Sequence, residues 1–236
     1  MSSPAPAVSI IMGTYNRAAI IPRAIDSVLA QDFKDWELIV VGHCTPDNTA
    51  EVVARYGDPR IAFHNMPDRK PDTGSATKNY GIQNFARSDV IAYLDDDDQW
   101  KPLFLSTMAG HMLANPQTML AYCRSMYRDK KSGRRVYGNP FQRWMHGYSK
   151  EKLQRYNFLN VNCVVHRKRL LDEVGYWNPD KFFNDYDLWL RVAAKYDFDY
   201  VNQVLVETYV DEPPFLIRAV RKGWWLFTHG RSTPRT

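Results

Sequence analysis

Apolar residues in the first hundred positions arrive in short blocks that switch between two spacings. "VSIIMG" (8–13) is a β-branched, continuously apolar run closed by Gly13, which predicts a buried strand. In "AAIIPRAIDSVLAQ" the apolar positions Ile21, Ala24, Ile25, Val28 and Leu29 fall near helical spacing. Pro22 belongs in the first turn of that helix, where a missing N–H does no harm. The alternation then repeats. "WELIVV" predicts a second strand, "DNTAEVVARYG" a helix with an Asp cap and a closing Gly, and "RIAFHN" a third strand. "GSATKNYGIQNFA" predicts a third helix and "DVIAYL" a fourth strand. Strands alternating with helices predict an α/β fold, a parallel sheet with helices on its faces.

Beyond residue 100 the pattern is less regular. "PLFLSTMAGHMLANP" reads as a helix ending at Asn115-Pro116, and "TMLAYCRSMY" and "NFLNVNCVVH" as strands joined by a Gly- and Arg-rich connection. "NDYDLWLRVAAKY" predicts a short helix, with Asn184 as its cap, and "FDYVNQVLVETY" a closing strand. Residues 1–7 are Ser/Pro/Ala-rich and are expected to be disordered. No internal repeat is present.

Composition narrows the function classes. The 236 residues carry 31 basic and 26 acidic side chains, a net charge of +5, too mild an excess to indicate nucleic-acid binding. Three widely spaced cysteines, Cys44, Cys123 and Cys163, show no metal spacing and fit a reducing, cytoplasmic setting. The start, "MSSPAPAVSI", lacks the basic and apolar regions of a secretory leader, and no apolar run is long enough to span a membrane. The expectation is a soluble or peripheral protein.

One stretch resists a bland reading. In "YLDDDDQW" (93–100) four adjacent carboxylates follow the fourth predicted strand. Like charges repel, so the acids either face open water or gather something positive. In parallel sheets ligands bind beyond the carboxyl ends of the strands, where these acids fall. Carboxylate oxygens suit Mg²⁺ or Mn²⁺, the usual partners of a diphosphate. Asp95 and Asp97, one residue apart, can direct two oxygens at one ion and leave Asp96 for a sugar hydroxyl.

The ordered segments "VSIIMGTYNR", "SVLAQDFKDWELIVV", "GDPRI", "SATKNYGI", "AYLDDDDQW" and "NDYDLWLR" together resemble the inverting family 2 glycosyltransferases, across most of residues 8–210. The resemblance implies a GT-A fold: a Rossmann-like nucleotide-binding half and a mixed, mainly parallel central sheet flanked by helices. It divides the chain into a nucleotide-sugar-binding half (8–100), an acceptor-binding and catalytic half of the same domain (101–212), and a basic, aromatic C-terminal segment (213–236). It places Thr14 and Tyr15 beside the nucleotide base and Lys78 near the nucleotide. The acidic run becomes a DXD motif, with Asp97 and Asp95 on Mn²⁺ or Mg²⁺ and Asp96 on the donor ribose or sugar. Asp98 is left to cap the helix starting near Lys101-Pro102. Asp185 becomes the general base, since an acceptor hydroxyl is a weak nucleophile until its proton is taken. The implied partners are a nucleoside-diphosphate sugar, foremost a UDP-sugar, and a carbohydrate or lipid-linked acceptor.

The chain also departs from that family. Gly42 and His43 stand where an acidic pair would read the base, and Asn184 stands where a glutamate often precedes the catalytic aspartate. No histidine follows "VETYV" to complete the metal site; Asp211 and Glu212 are the candidates in its place. Two other readings stay open: a catalytically degenerate nucleotide- or glycan-binding relative, and, ranked lower, a nucleotidyltransferase. "IRAVRKGWWLF" fits peripheral contact with the inner face of a membrane, a lid over the acceptor site, or a homodimer contact.

Overall fold

The computed structural model describes residues 4–69, 74–136 and 147–211. The first four strands form where the apolar blocks place them: β1 (Val8–Thr14), β2 (Trp36–Gly42), β3 (Ile61–Asn65) and β4 (Val90–Tyr93). They run parallel in the order β3-β2-β1-β4. Successive side chains of a strand point to opposite faces, so two cores result. Ile10, Met12, Leu38 and Val40 pack on one face, and Ile11, Ile39, Val41 and Ile91 on the other. Burial on both faces is what makes β1, β2 and β4 largely apolar, whereas the edge strand β3 is only partly buried.

The helices between them are α1 (Pro22–Leu29), α2 (Thr49–Ala54) and α3 (Ser75–Asn84). Pro22 opens α1 as its position in the first turn requires. The expected Asp cap of α2 acts from one residue further out. Asn48 is the formal cap, while Asp47 Oδ1 accepts from the Thr49 hydroxyl at 2.6 Å and its amide at 3.4 Å.

The second half extends the same sheet with β5 (Gln99–Trp100), β6 (Leu120–Asp129), β7 (Arg135–Val136), β8 (Val164–Arg167) and β9 (Asp199–Val210). Its helices are α4 (Phe104–Ala114), α5 (Lys150–Arg155), α6 (Arg169–Val174) and α7 (Asn184–Lys195). The full strand order is β3-β2-β1-β4-β8-β6-β9-β5, with β7 on β6; β8 is antiparallel to β4 and β6, and β9 parallel to β6. Among the described residues no helix is long and apolar enough to cross a membrane.

Three local expectations are corrected. Only Val164–Arg167 of "NFLNVNCVVH" is strand, preceded by a 3-10 turn at Val161–Cys163. Asn157 and Asn160 each accept a backbone N–H two residues on, at 3.1 and 3.0 Å, and these local turns displace the ladder. The cap of α7 is Phe183, with Asn184 inside the helix. Asp98 does not cap α4, which begins at Leu103-Phe104; it is buried elsewhere. The two-residue strands β5 and β7 and the six-residue helices α5 and α6 are too short to leave a periodic signal.

What positions the site is the close seating of α3 on β1. A Cβ at Gly13 would lie 2.4 Å from Thr77 Oγ1 and 3.1 Å from Thr77 Cβ, so the helix touches bare backbone there. The Thr77 hydroxyl donates to the Gly74 carbonyl at 3.1 Å and is not free to turn away. A Gly13→Ala substitution is expected to push α3 outward at a cost of roughly 1–3 kcal/mol, read as a lower melting temperature in thermal denaturation.

Candidate functional site

The loop after β4 turns its four carboxylates into four different surroundings. Asp95 is the most open of them, with its side chain 43% exposed. Its amide donates to Asn162 Oδ1 at 2.7 Å, and Asn162 Nδ2 donates back to Asp95 Oδ2 at 3.2 Å. The same amide nitrogen reaches the buried Asp98 Oδ2 at 2.5 Å, while the Tyr209 amide donates to Asp98 Oδ1 at 2.8 Å. Burial, reinforced by Asp95 and Asp97 and opposed by the Tyr209 amide, pushes the Asp98 carboxyl up to about 7. Asp98 is therefore the structural member of the run.

Asp96 lies buried under the loop, where burial pushes its carboxyl up to about 6 against the pull of Thr14 and Arg17. The buried Thr14 hydroxyl, at the end of β1, acts on Asp96 but completes no well-formed hydrogen bond. Asp97 goes the other way. Burial raises it, but Lys130 and Arg17 outweigh that and hold it below the usual carboxylate range. Both cations reach the same oxygen, Oδ2, at 3.0 Å from Lys130 and 3.1 Å from Arg17. Arg23 donates to the Asp97 carbonyl and stacks its guanidinium on Tyr209, 3.7 Å from the ring centre.

Lys78, in the first turn of α3, links this run to the second acidic cluster. Its buried ammonium is 3.9 Å from Asp95 Oδ1 and 5.2 Å from the centre of the Trp177 ring. Its charge also acts on Asp185, at the start of α7. Asp185 accepts from Asn157 Nδ2 at 2.9 Å and from the Tyr186 amide at 2.7 Å. Burial nevertheless raises its carboxyl above the ordinary range, the Tyr186 amide, Asn157 and Lys78 opposing. Beneath Lys78 the Trp177 indole N–H donates to the Tyr93 hydroxyl at 3.0 Å, and Tyr93 lies 2.7 Å from His166 Nε2. Burial pushes His166 down to about 4, so it is neutral. With Nδ1 facing the Arg167 carbonyl at 2.7 Å, Nε2 is left to accept from Tyr93. The chain of donors runs one way and fixes the floor of the site.

Tyr15 stands apart from the acids. Arg69 donates to its hydroxyl at 2.8 Å and lies 4.1 Å over its ring, with the edge of His43 at 6.5 Å. The stacked pair, Tyr15 just after β1 and the exposed Arg69 in the loop after β3, offers a flat surface suited to a planar ligand. The loops here are fixed by Asp47 and Thr45: the Ala18 amide donates to Asp47 Oδ2 at 2.9 Å and the Asn16 amide to Thr45 Oγ1 at 2.8 Å. Partial desolvation raises Asp47, but bonds from Thr49, Ala18 and Thr45 prevail and hold it at about 2. At Gly42 no side chain fits. A Cβ there would lie 2.5 Å from Asn65 Oδ1 and 2.9 Å from Phe63 Cζ. Asn65 is engaged in turn, accepting from the Thr45 amide at 3.0 Å and donating to its carbonyl at 3.2 Å.

Among the described residues no three His, Cys, Asp or Glu side chains form a ready-made metal cage. The donor set still suits Mg²⁺ or Mn²⁺, which take one or two carboxylates and complete their shell from phosphates and water. Asp97 and Asp95 supply such oxygens, and the unsatisfied Thr14 hydroxyl shows that the pocket has polar capacity to spare. Asp211 is 80% exposed and faces Lys130 at 3.9 Å; Glu212 and residues 213–236 lie outside the described residues.

The structure thus brings Thr14, Lys78, Asp95, Asp96, Asp97 and Asp185 to one end of the sheet, with Tyr15 at its margin. Reading the sequence alone misses Arg17, Arg23, Lys130, Asn157 and Asn162. The only signal for the last two was the three asparagines of "NFLNVN", an odd density for a strand.

The family model described as Glycosyl transferase family 2 matches residues 9–175. An uncharacterized glycosyltransferase of Rickettsia typhi is 34% identical over 219 residues, covering 88% of this chain and 65% of the relative. The chain therefore spans just under two thirds of that relative's length. The Staphylococcus aureus TarS crystal structure in complex with UDP-GlcNAc superposes with a TM-score of 0.72 at 16% identity, over 89% of this chain and 60% of that one. The mannosyltransferase PcManGT of Pyrobaculum calidifontis, in complex with GDP-Man and Mn²⁺, gives 0.69 at 16% identity, over 99% and 66%. At this identity the likeness concerns the fold, and it is the GT-A fold that the sequence resemblance implied.

Asn162 carries the acidic turn, satisfying Asp95 and Asp98 with one amide. An Asn162→Ala substitution removes the Nδ2 partner of the buried Asp98 Oδ2 and leaves the Asp95 backbone N–H without its acceptor, while the Tyr209 amide stays on Asp98 Oδ1. The expected cost is roughly 2–4 kcal/mol, measured as a lower midpoint in urea denaturation.

Proposed function

Because the chain belongs to glycosyl transferase family 2, we propose that it moves a sugar from a nucleoside-diphosphate donor to an acceptor hydroxyl in one inverting displacement, with Asp185 as general base. The observation that carries the reading is the buried Lys78, whose charge reaches both Asp95 of the acidic turn and the elevated carboxylate of Asp185. One cation acting on both clusters supports reading the first as the donor side and the second as the base side.

In this reading the base of the donor lies on Tyr15 and Arg69, and Thr14 and Asp96 face its ribose or sugar. Asp97 and Asp95 would hold Mn²⁺ or Mg²⁺, which would supply positive charge to offset that of the departing diphosphate. Asp185, its orientation held by Asn157 and the Tyr186 amide, accepts the acceptor proton as the new bond forms. Phe182 and Phe183, 73% and 59% exposed just before Asp185, offer an apolar surface along which a sugar or lipid-linked acceptor approaches. UDP- and GDP-sugars are the donor candidates, since TarS was solved with UDP-GlcNAc and the Pyrobaculum enzyme with GDP-Man. The closed packing at Gly42 favours a second reading, a binding relative without turnover, because the base-reading acid has no room there.

Two measurements test the proposal. Calorimetry with UDP and GDP should show tight binding of one of them, dependent on Mn²⁺ and lost in Asp97→Asn. In Asp185→Asn the turnover number should then fall by about 10²–10⁴ with donor affinity kept; unchanged turnover sinks the base assignment. The pH profile carries a sign. Asp185 is active only when ionised, so its raised pKa places the acidic fall-off above the ordinary Asp value of about 3.9. Asn157 favours the charged form, so Asn157→Leu should move that fall-off to still higher pH.

A further inference from the structure

Lys130 lies outside every motif, yet its ammonium is on the acid that the proposed function assigns to a metal. It opens the turn of the β6–β7 hairpin, and that turn is fixed. The Lys130 amide donates to the Val210 carbonyl at 2.8 Å. The buried Asp129 beside it accepts from the Ser132 amide and hydroxyl at 2.7 and 2.6 Å. Arg128 forks onto Glu207 at 2.7 and 2.8 Å. From this anchor a flexible four-carbon stem carries Nζ to Asp97 Oδ2 at 3.0 Å, with Asp211 as a second acid at 3.9 Å. Arg17 occupies the same Asp97 oxygen from the other half of the chain at 3.1 Å. Asp97 is therefore already charge-matched, while two buried polar atoms nearby, Thr14 Oγ1 and Arg23 Nε, complete no well-formed hydrogen bond. A site with its charge answered but its polar atoms unsatisfied is built to receive a ligand bearing both signs.

We infer that Lys130 is the resident counter-ion of the acidic site: it competes with a divalent cation for Asp97 in the free protein and turns to the diphosphate once the donor enters. This rests on the reading of Asp97 as a metal-holding residue. A cation arriving alone must displace an ammonium paired at 3.0 Å. A nucleotide arriving alone finds the Lys130 ammonium engaged on Asp97 and not free to answer its phosphates. Arriving together, the metal takes Asp97 and the displaced ammonium takes phosphate oxygens, so each promotes the other's binding. Because such coupling is reciprocal, the factor by which UDP or GDP tightens Mn²⁺ equals that by which Mn²⁺ tightens the nucleotide.

The test is a calorimetric titration of Mn²⁺ into the nucleotide-free protein, comparing wild type with Lys130→Met. Removal of the competitor should tighten Mn²⁺ by about tenfold and weaken UDP or GDP by about tenfold in the presence of Mn²⁺, with little change in EDTA, so that the coupling factor shrinks by the same tenfold from either side. Lys130→Gln checks that the effect follows the charge rather than the shape, and Lys131→Met, on the exposed neighbouring residue, should change nothing. Equal Mn²⁺ affinity in wild type and both Lys130 variants overturns the inference. Failure of the underlying reading looks different: Asp97→Asn would then still bind Mn²⁺, or no variant would bind either nucleotide.

Discussion

Four carboxylates at the end of one strand repel each other, and the fold around them is arranged to answer that repulsion. The answer comes from the whole length of the chain: Arg17 and Arg23 from around α1, Lys78 from α3, Lys130 from the β6–β7 hairpin, Asn162 from the turn before β8 and the Tyr209 amide from β9. Each acid receives a different share. Asp98 is sealed by neutral donors and kept readily protonated, Asp97 is held ionised by two cations, and Asp95 stays open toward Lys78. Chemical division of labour within "DDDD" is thus set by what the neighbouring elements deliver rather than by the residues themselves.

That explains which parts were legible in the sequence. The parallel half was, because strands buried on both faces and helices packed on one side write strong and distinct periodicities. The acids and Asp185 stood out by their own density and by motif. Asn162 and Lys130 could not, since their importance arises from a sheet order in which β8, β6 and β9 follow β4 out of sequence. The apolar frame of "NFLNVNCVVH" hid the turn within it, because asparagine side chains that mimic backbone acceptors leave the hydrophobic pattern of a strand intact.

The floor of the site shows the same dependence on distant parts. The buried Lys78 rests on Trp177, whose N–H is satisfied by Tyr93, which is in turn satisfied by a neutral His166. These residues come from α3, the segment after α6, β4 and β8, so a change in any one of them reaches the cation between the two acidic clusters. The electrostatic environment of Asp185 is thereby coupled to packing well below the surface.

The crowding at Gly42 has a consequence for how such a pocket can diversify. Asn65 fills the space that a side chain at 42 would need, and it does so while bonding both polar groups of Thr45. Positions 42, 45 and 65 therefore form one steric unit on adjacent strands. An acid can enter at 42 only in company with a smaller residue at 65, and each single step passes through a clash or an unsatisfied backbone. The shape of this corner is a locked combination, altered by concerted exchange rather than by one residue at a time.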